Sequence, residues 1–248
     1  MSLRRSIRLF LFVLILGSGN TGLAFTILVD PGHGGEDTGA KGSYWVGKKR
    51  IRVLEKDLAL EISKKIHKKL SKKYDTYLTR SVDRTVALGE RAAMADKIKA
   101  DLFISIHINS SRRKRSRGFE IFYLDNHNDA AIKKVEEDEN TSFGSENSVI
   151  QKILIDLVID KTVTTSKKLA YSIHRNMKRK IKRYGIRDRG IKPGLFYVLA
   201  LSKRPGVLIE AGFISNPKEL RKMKSAKFQN ALADAVLKGV QRYQKSSR

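Results

Sequence analysis

The sequence contains no cysteine, which excludes disulfides, zinc–thiolate sites and a cysteine nucleophile. Acidic residues are scarce: 25 Asp and Glu stand against 51 Lys and Arg in 248 residues, a net charge of +26. Histidines number only five, namely His33, His67, His107, His127 and His174. A protein-bound metal must therefore draw on few imidazoles and few carboxylates. A membrane-spanning run is lacking as well, since the apolar stretch Leu9–Leu16 is too short to cross a bilayer comfortably.

With 41% hydrophobic and 31% charged residues, the composition suits a globular protein and argues against a disordered one. The length suits one domain. The excess of cations suits an anionic partner, such as nucleic acid, lipid head groups or an anionic wall polymer; a lysine-rich solvated surface is the simpler alternative.

Residues 1–24 read as a signal peptide. Arg4, Arg5 and Arg8 precede the apolar run, and the small, polar stretch 17–24 ends in Leu23-Ala24. An exported chain would meet the cell envelope rather than nucleic acid, in the periplasm, with no stable membrane span once the leader is removed. The catalytic domain is then expected over residues 25–248.

Within it, short apolar runs alternate with amphipathic helical patterns. Phe25–Val29, Tyr74–Thr79, Leu102–Ile106 and Phe119–Leu124 read as strands, and Phe196–Ala200 and Val207–Ile209 are further apolar runs. Leu54, Leu58, Ile62, Ile66 and Leu70 recur every fourth residue and define a helix to about Lys73. Helices are also expected at 88–98, 150–158, 166–181 and 226–243. The order predicts a single α/β domain with a twisted, mostly parallel or mixed sheet flanked by helices.

Three chemistry-bearing residues fall at the carboxyl ends of these runs: His33 after the first strand and its Pro/Gly-rich loop, His107 after Leu102–Ile106, and Glu210 after Val207–Ile209. In open α/β sheets that edge is where ligands bind. Glu55 extends the apolar stripe of the first helix with a carboxylate; it reads either as a metal ligand or as a first-turn acid suited to the helix dipole. Two imidazoles and one carboxylate form a catalytic zinc set that leaves one position for water, and a further carboxylate, for which Glu210 remains, would handle the proton. His67, His127 and His174 read as ordinary surface residues.

Five blocks in order carry a resemblance: Ile27–Gly42 (ILVDPGHGGEDTGAKG), Leu54–Leu60 (LEKDLAL), Ala100–Ser110 (ADLFISIHINS), Asp188–Leu199 (DRGIKPGLFYVL) and Val207–Pro217 (VLIEAGFISNP). Together they make the chain similar to the zinc-dependent N-acetylmuramoyl-L-alanine amidases of the bacterial division type. The resemblance implies His33, Glu55 and His107 as zinc ligands and Glu210 as the catalytic base. It also implies hydrolysis of the bond between N-acetylmuramic acid and L-alanine in peptidoglycan, in cell-wall remodelling and daughter-cell separation. It further implies that residues 125–165 form a helical regulatory insert. In that insert Glu139, within the acidic cluster Glu136–Glu139, would be an inhibitory fourth ligand, and the helix Ile150–Val158 would help dock an activator protein; a solvated acidic loop is the other reading.

Two departures stand out. The stretch between Gly42 and Glu55 carries Lys48, Lys49, Arg50 and Arg52 and is long for the family. The expected mature chain also begins almost at its first strand, leaving wall recruitment to partners or to the basic surface. Competing functions are a non-catalytic peptidoglycan-binding protein and a zinc peptidase acting on the stem peptide. A nucleic-acid binder fits less well, because the basic run Arg112–Arg117 is not interleaved with aromatics.

Overall fold

The computed structural model describes residues 25–140 and 149–246, without the side chains of residues 149–151. The expected leader at 1–24 and residues 141–148 of the expected insert lie outside the described residues.

Six strands form the central sheet: β1 (Thr26–Pro31), β4 (Asp75–Leu78), β5 (Leu102–Asn109), β6 (Phe119–Leu124), β7 (Asp188–Gly194) and β8 (Gly206–Phe213). Their order is β4-β1-β5-β8-β6-β7, and only the β6–β8 junction is antiparallel. This is the expected α/β architecture with a mixed, mostly parallel sheet. A separate antiparallel pair, β2 (Lys41–Val46) and β3 (Lys49–Leu54), leads directly into helix α1 (Glu55–Leu70). The remaining helices are α2 (Leu88–Lys97), α3 (Ala130–Glu139), α4 (Val149–Ile181), α5 (Tyr197–Ser202), α6 (Pro217–Met223) and α7 (Ala226–Ser246). Among the described residues no helix is long and apolar enough to cross a membrane.

Strands buried on both faces explain the continuous apolar runs. On β5, Leu102, Ile104, Ile106 and Ile108 enter one core with Val207 and Ile209 of β8 and the apolar stripes of α1, the second half of α4 and α7. Phe103 and Leu208 point the other way, into a core with Leu28, Phe122 and Phe196 beneath α2 and α5. Alternation therefore places His107 and Glu210, which are register partners, on this second face.

Several boundaries differ from the sequence reading. β5 runs on to Asn109 and β8 to Phe213, so His107 and Glu210 sit within strands rather than just beyond them; a polar side chain at an alternate position of a buried strand looks, in sequence, like the end of an apolar run. The apolar run Phe196–Ala200, open to helix or strand in the sequence, contributes to α5, and the adjoining strand is Asp188–Gly194. The helices expected at 150–158 and 166–181 are one helix, α4. The polar step between them stays helical: Thr162 Oγ1 donates to the Val158 carbonyl at 2.7 Å, and Ser166 Oγ accepts the Gly206 N–H at 3.0 Å.

Candidate metal centre

His33 leaves β1 through a loop in which it adopts a left-handed conformation, φ 58°, uncommon for a residue with a Cβ. Two buried arginines hold this loop. Arg80 donates to the carbonyls of Pro31 (3.1 Å), Gly32 (2.7 Å) and Lys56 (2.8 Å). Arg91 donates to those of Pro31 (2.9 Å) and His33 (3.0 Å) and pairs with Asp30. Asp30, fully buried, also accepts from Thr79 Oγ1 at 2.6 Å and Ser105 Oγ at 2.8 Å. Burial alone would raise its pKa, but the Arg91 charge and these hydrogen bonds hold it below the usual carboxylate range.

Asp30→Asn would leave the Arg91 charge buried without its counter-ion, at a cost of about 3–5 kcal/mol. Equilibrium unfolding in denaturant at neutral pH is the measurement, and a loss below ~1 kcal/mol would remove Asp30 from this role. Because folding lowers the Asp30 pKa, its contribution is present above the ordinary value of 3.8 and disappears as pH falls. The variant should therefore lack that part of the acid-side loss of stability.

The ligand atoms converge as follows. His33 Nε2 lies 3.1 Å from Glu55 Oε1 and 3.5 Å from Glu139 Oε2, and His107 Nδ1 lies 3.4 Å and 2.6 Å from the same two oxygens. One ligand atom from each of these four residues falls within 4.8 Å of all the others. Yet His33 Nε2, His107 Nδ1 and Glu139 Oε2 are buried without a partner in hydrogen-bond geometry. Such proximity without mutual hydrogen bonding is the arrangement of atoms directed at a common central cation.

The surrounding groups fix each member. Glu55 Oε2 accepts the Ala40 N–H at 2.9 Å and Oε1 the Ile108 N–H at 2.8 Å. Asp37 Oδ2 lies 2.9 Å from His33 Nδ1, orienting the ring from behind. Gly39, at φ 58°, lies against both: a Cβ there would come within 2.6 Å of the His33 ring and 2.8 Å of Glu55 Oε2.

Charge balance also suits a divalent ion. Burial opposes protonation of both histidines, but it is outweighed by the Glu55 charge beside His33 and the Glu139 charge beside His107, raising each to about 10. Glu55 is held below the usual carboxylate range, burial being outweighed by the His33 and His107 charges. Two protonated imidazoles thus face two carboxylates. One divalent cation would replace two protons at constant net charge.

Glu210 is fully buried and neither carboxylate oxygen has a hydrogen-bond partner. Burial, then the charges of Glu139, Glu55 and Glu120, push its pKa well above the ordinary value. Its register partner Glu120 is buried too, but it is satisfied by Asn109 Nδ2 at 2.7 Å, Arg189 at 3.1 Å and Lys192.

All five site residues expected from sequence are therefore brought to one place, Glu139 included. The helix that carries Glu139 is tied down on both sides. Asp129 caps its start through the N–H groups of Ala131 and Ile132. Near its end Glu136 accepts the Leu195 N–H, while Asn140 donates to the Leu195 carbonyl at 2.9 Å and accepts the Tyr197 N–H at 3.0 Å. The other histidines are not ordinary surface residues: His67 Nε2 lies 3.0 Å from the Thr76 carbonyl, His127 Nε2 2.6 Å from Glu136, and His174 Nε2 2.7 Å from Asp188. Their carboxylate and carbonyl partners are distant in sequence or across a turn, which periodicity cannot reveal. Asp30, Asp37, Arg80 and Arg91 were also missed: the arginines act through backbone carbonyls, Asp37 on one imidazole and Asp30 on side chains distant in sequence, and none carries a spacing signature.

Residues 27–242 match the N-acetylmuramoyl-L-alanine amidase family (Amidase_3). The chain is 32% identical over 227 residues to N-acetylmuramoyl-L-alanine amidase AmiC of Escherichia coli, covering 88% of this chain and 52% of that one. It is 34% identical to AmiA of Escherichia coli, covering 88% and 75%. The chain thus spans about half the length of the first relative and three quarters of the second. Among solved structures, an N-acetylmuramoyl-L-alanine amidase from Clostridium difficile 630 superposes with a TM-score of 0.67 at 30% identity, covering 91% of this chain and 99% of that one.

Proposed function

The chain belongs to the N-acetylmuramoyl-L-alanine amidase family, and on that premise we propose that it hydrolyses the amide joining the lactyl group of N-acetylmuramic acid to L-alanine in peptidoglycan. His33, Glu55 and His107 hold a zinc ion, and Glu210 is the acid–base residue. The observation that carries the reading is the convergence of buried ligand atoms that lack hydrogen bonds, beside a buried carboxyl that also lacks them. Two histidines and one glutamate, with no thiolate, suit zinc. When bound, that ion supplies Lewis-acid polarisation of the scissile carbonyl and acidification of a water.

The residues divide the remaining work. His33, held by Asp37, and Glu55, held by two backbone amides, keep the coordinating atoms in place before any ion arrives. Glu210 takes a proton on a carboxylate oxygen and returns it to the departing amine nitrogen of L-alanine. Its burial excludes bulk water from that exchange and makes the carboxyl a stronger proton acceptor.

In this reading Glu139 occupies the position that water and substrate need, so the described conformation is a closed one. The opening signal is a partner protein on the outer face of α4. There Ile153, Leu154 and Leu157 are each more than half exposed, above a cleft of about 330 Å³ shared with Tyr197 and Leu201 of α5. Tyr197 is also a residue to which Asn140 is tied, which connects the docking face to the end of α3. Export through residues 1–24, action in the periplasm and a role in separating daughter cells complete the proposal.

The test is to incubate the full chain with intact peptidoglycan, with and without zinc, and to identify released products by mass. Free stem peptides beginning with L-alanine, lost on chelation, are expected. Shortened stems would replace the amidase by a peptidase. No release from a zinc-loaded, folded Glu139→Ala variant would leave a wall-binding protein.

A further inference from the structure

On the sheet face opposite His107 and Glu210, the second half of α4 and the helix α7 border an open groove of about 1120 Å³. Its lining includes Arg175 and Arg179 from α4, Lys182 in the helical turn that directly follows α4, and Lys238, Arg242 and Lys245 from α7. Both sets share one spacing, i, i+4, i+7, so each helix presents a cation at every turn, about 5.4 Å apart. No acidic residue lines the groove. Lys178, which also lines it, pairs with Asp188, whereas none of the six cations named has a carboxylate partner among the described residues.

The two helices run antiparallel. Residue 239 of α7 meets Ile173 of α4, while Tyr184, just past α4, packs on Phe228 and donates to the Lys227 carbonyl. Descending from Lys182 through the end of α4 to Arg175 and ascending α7 from Lys238 to Lys245 are therefore the same direction. The two series join end to end into one strip of cations more than ~20 Å long. Helix dipoles favour cations in last turns only; they do not account for Arg175 or Lys238, which lie more than a turn before the helix ends, nor for the alignment of two helices into one track.

The strip selects among anions. A row of charge along a concave groove, with Lys73 and Lys178 beside it, matches a chain rather than a flat bilayer. The neutral lining is Asn176, Gln241, Gln244 and Tyr74, groups that hydrogen-bond to hydroxyls. Tyr74 packs edge-on against Phe25 and donates its hydroxyl to Gln244 at 3.3 Å, and no other aromatic lines the groove, so it offers no platform on which successive bases could stack. Arginine forks match phosphate oxygens bidentately. We propose that this groove binds a linear polyol-phosphate polymer, one phosphodiester and free hydroxyls per repeat, independently of the metal centre.

The test is binding of the full chain to synthetic poly(glycerol phosphate), measured by fluorescence anisotropy across a salt series. The wild-type chain should bind, with affinity falling steeply as salt rises. Arg175→Glu/Arg179→Glu/Arg242→Glu should lose about tenfold or more in affinity and lower the salt slope by about 2, at roughly 0.7 per contact for a single-stranded polyanion. Arg175→Gln/Arg179→Gln/Arg242→Gln should show a weaker loss in the same direction, and both variants should keep the wild-type circular dichroism. Arg112→Glu/Arg113→Glu/Arg115→Glu, in the basic loop after β5, should bind as wild type. An equal loss in that loop variant would overturn the groove in favour of generic charge. Preferential binding to vesicles of phosphatidylglycerol, the same head group on a plane, would replace the polymer by a lipid surface. Equal or tighter binding of oligothymidylate would replace it by nucleic acid.

Discussion

Glu210→Gln should reduce hydrolysis of peptidoglycan by about 10²–10⁴-fold while leaving bound zinc at the wild-type level. The separation follows from geometry: the four clustered ligand atoms belong to His33, Glu55, His107 and Glu139, and Glu210 is not among them. The same substitution should stabilise the zinc-free protein. Glu210 is buried with both oxygens unpartnered, and its pKa is raised well above 4.5 by burial and by the Glu139, Glu55 and Glu120 charges. A carboxyl whose pKa rises on folding contributes its full stability below the unfolded value. That contribution is lost as pH climbs through the folded value, because only the unfolded chain releases the proton freely. The amide introduced by the substitution does not ionise, so the variant should be more stable at pH 8 than the wild type by about 1–3 kcal/mol, or several degrees in Tm, and the difference should vanish near pH 4. Activity lost together with zinc would make Glu210 a structural support of the centre instead. Activity retained would remove it from the chemistry. An inactive but more stable variant is the expected signature of a group kept in an unfavourable state for function.

The elements that carry the site were legible because they are buried on both sides. β1, β5 and β8 are continuous apolar runs, and the α1 stripe leads back to Glu55, so burial itself wrote the positions of His33, Glu55, His107 and Glu210 into the sequence. The elements that the sequence left unassigned lie where burial is weaker, or where a short apolar run fits helix and strand alike. β7 is an edge strand carrying Arg189, Lys192 and Pro193; an edge tolerates proline and charge, and such a strand lacks the period that marks an inner one. The neighbouring Phe196–Ala200 is apolar because α5 packs on Phe103 and Phe122, and a short apolar run has the same appearance in helix and strand. The β2–β3 pair stands outside the main sheet and exposes Trp45 and its basic tip; Val53 is its one buried residue, with Ile51 and Tyr44 only partly covered, too little to mark either strand. Asp30, Arg80 and Arg91 were invisible for a different reason. Arg80 and Arg91 satisfy backbone carbonyls of the His33 loop, and Asp30 meets Arg91, Thr79 and Ser105, all distant in sequence; neither kind of partnership imposes a residue pattern.

Glu139→Ala should raise basal hydrolysis by about tenfold or more without loss of zinc. The carboxylate reaches within 2.6 Å of His107 Nδ1 and 3.5 Å of His33 Nε2, so in the proposed closed conformation it would compete with substrate for the open side of the centre. Removing it leaves His33, Glu55 and His107, the three-ligand set that a catalytic zinc requires. A second variant separates blocking from ligation. Asn140→Ala keeps Glu139 but removes two hydrogen bonds, to the Leu195 carbonyl and from the Tyr197 N–H. At about 1 kcal/mol each, their loss should raise the open population by roughly thirtyfold while it remains the minor state. The two gains should not add: once the carboxylate is gone, loosening the helix that carried it exposes nothing further. Basal rates measured on soluble muropeptides, with zinc content determined in parallel, give both answers. Unchanged rates in a fully zinc-loaded Glu139→Ala variant would make the α3 contact incidental to activity. A rise in Glu139→Ala but not in Asn140→Ala would keep the block and place its hold elsewhere, in Glu136 with the Leu195 N–H and His127.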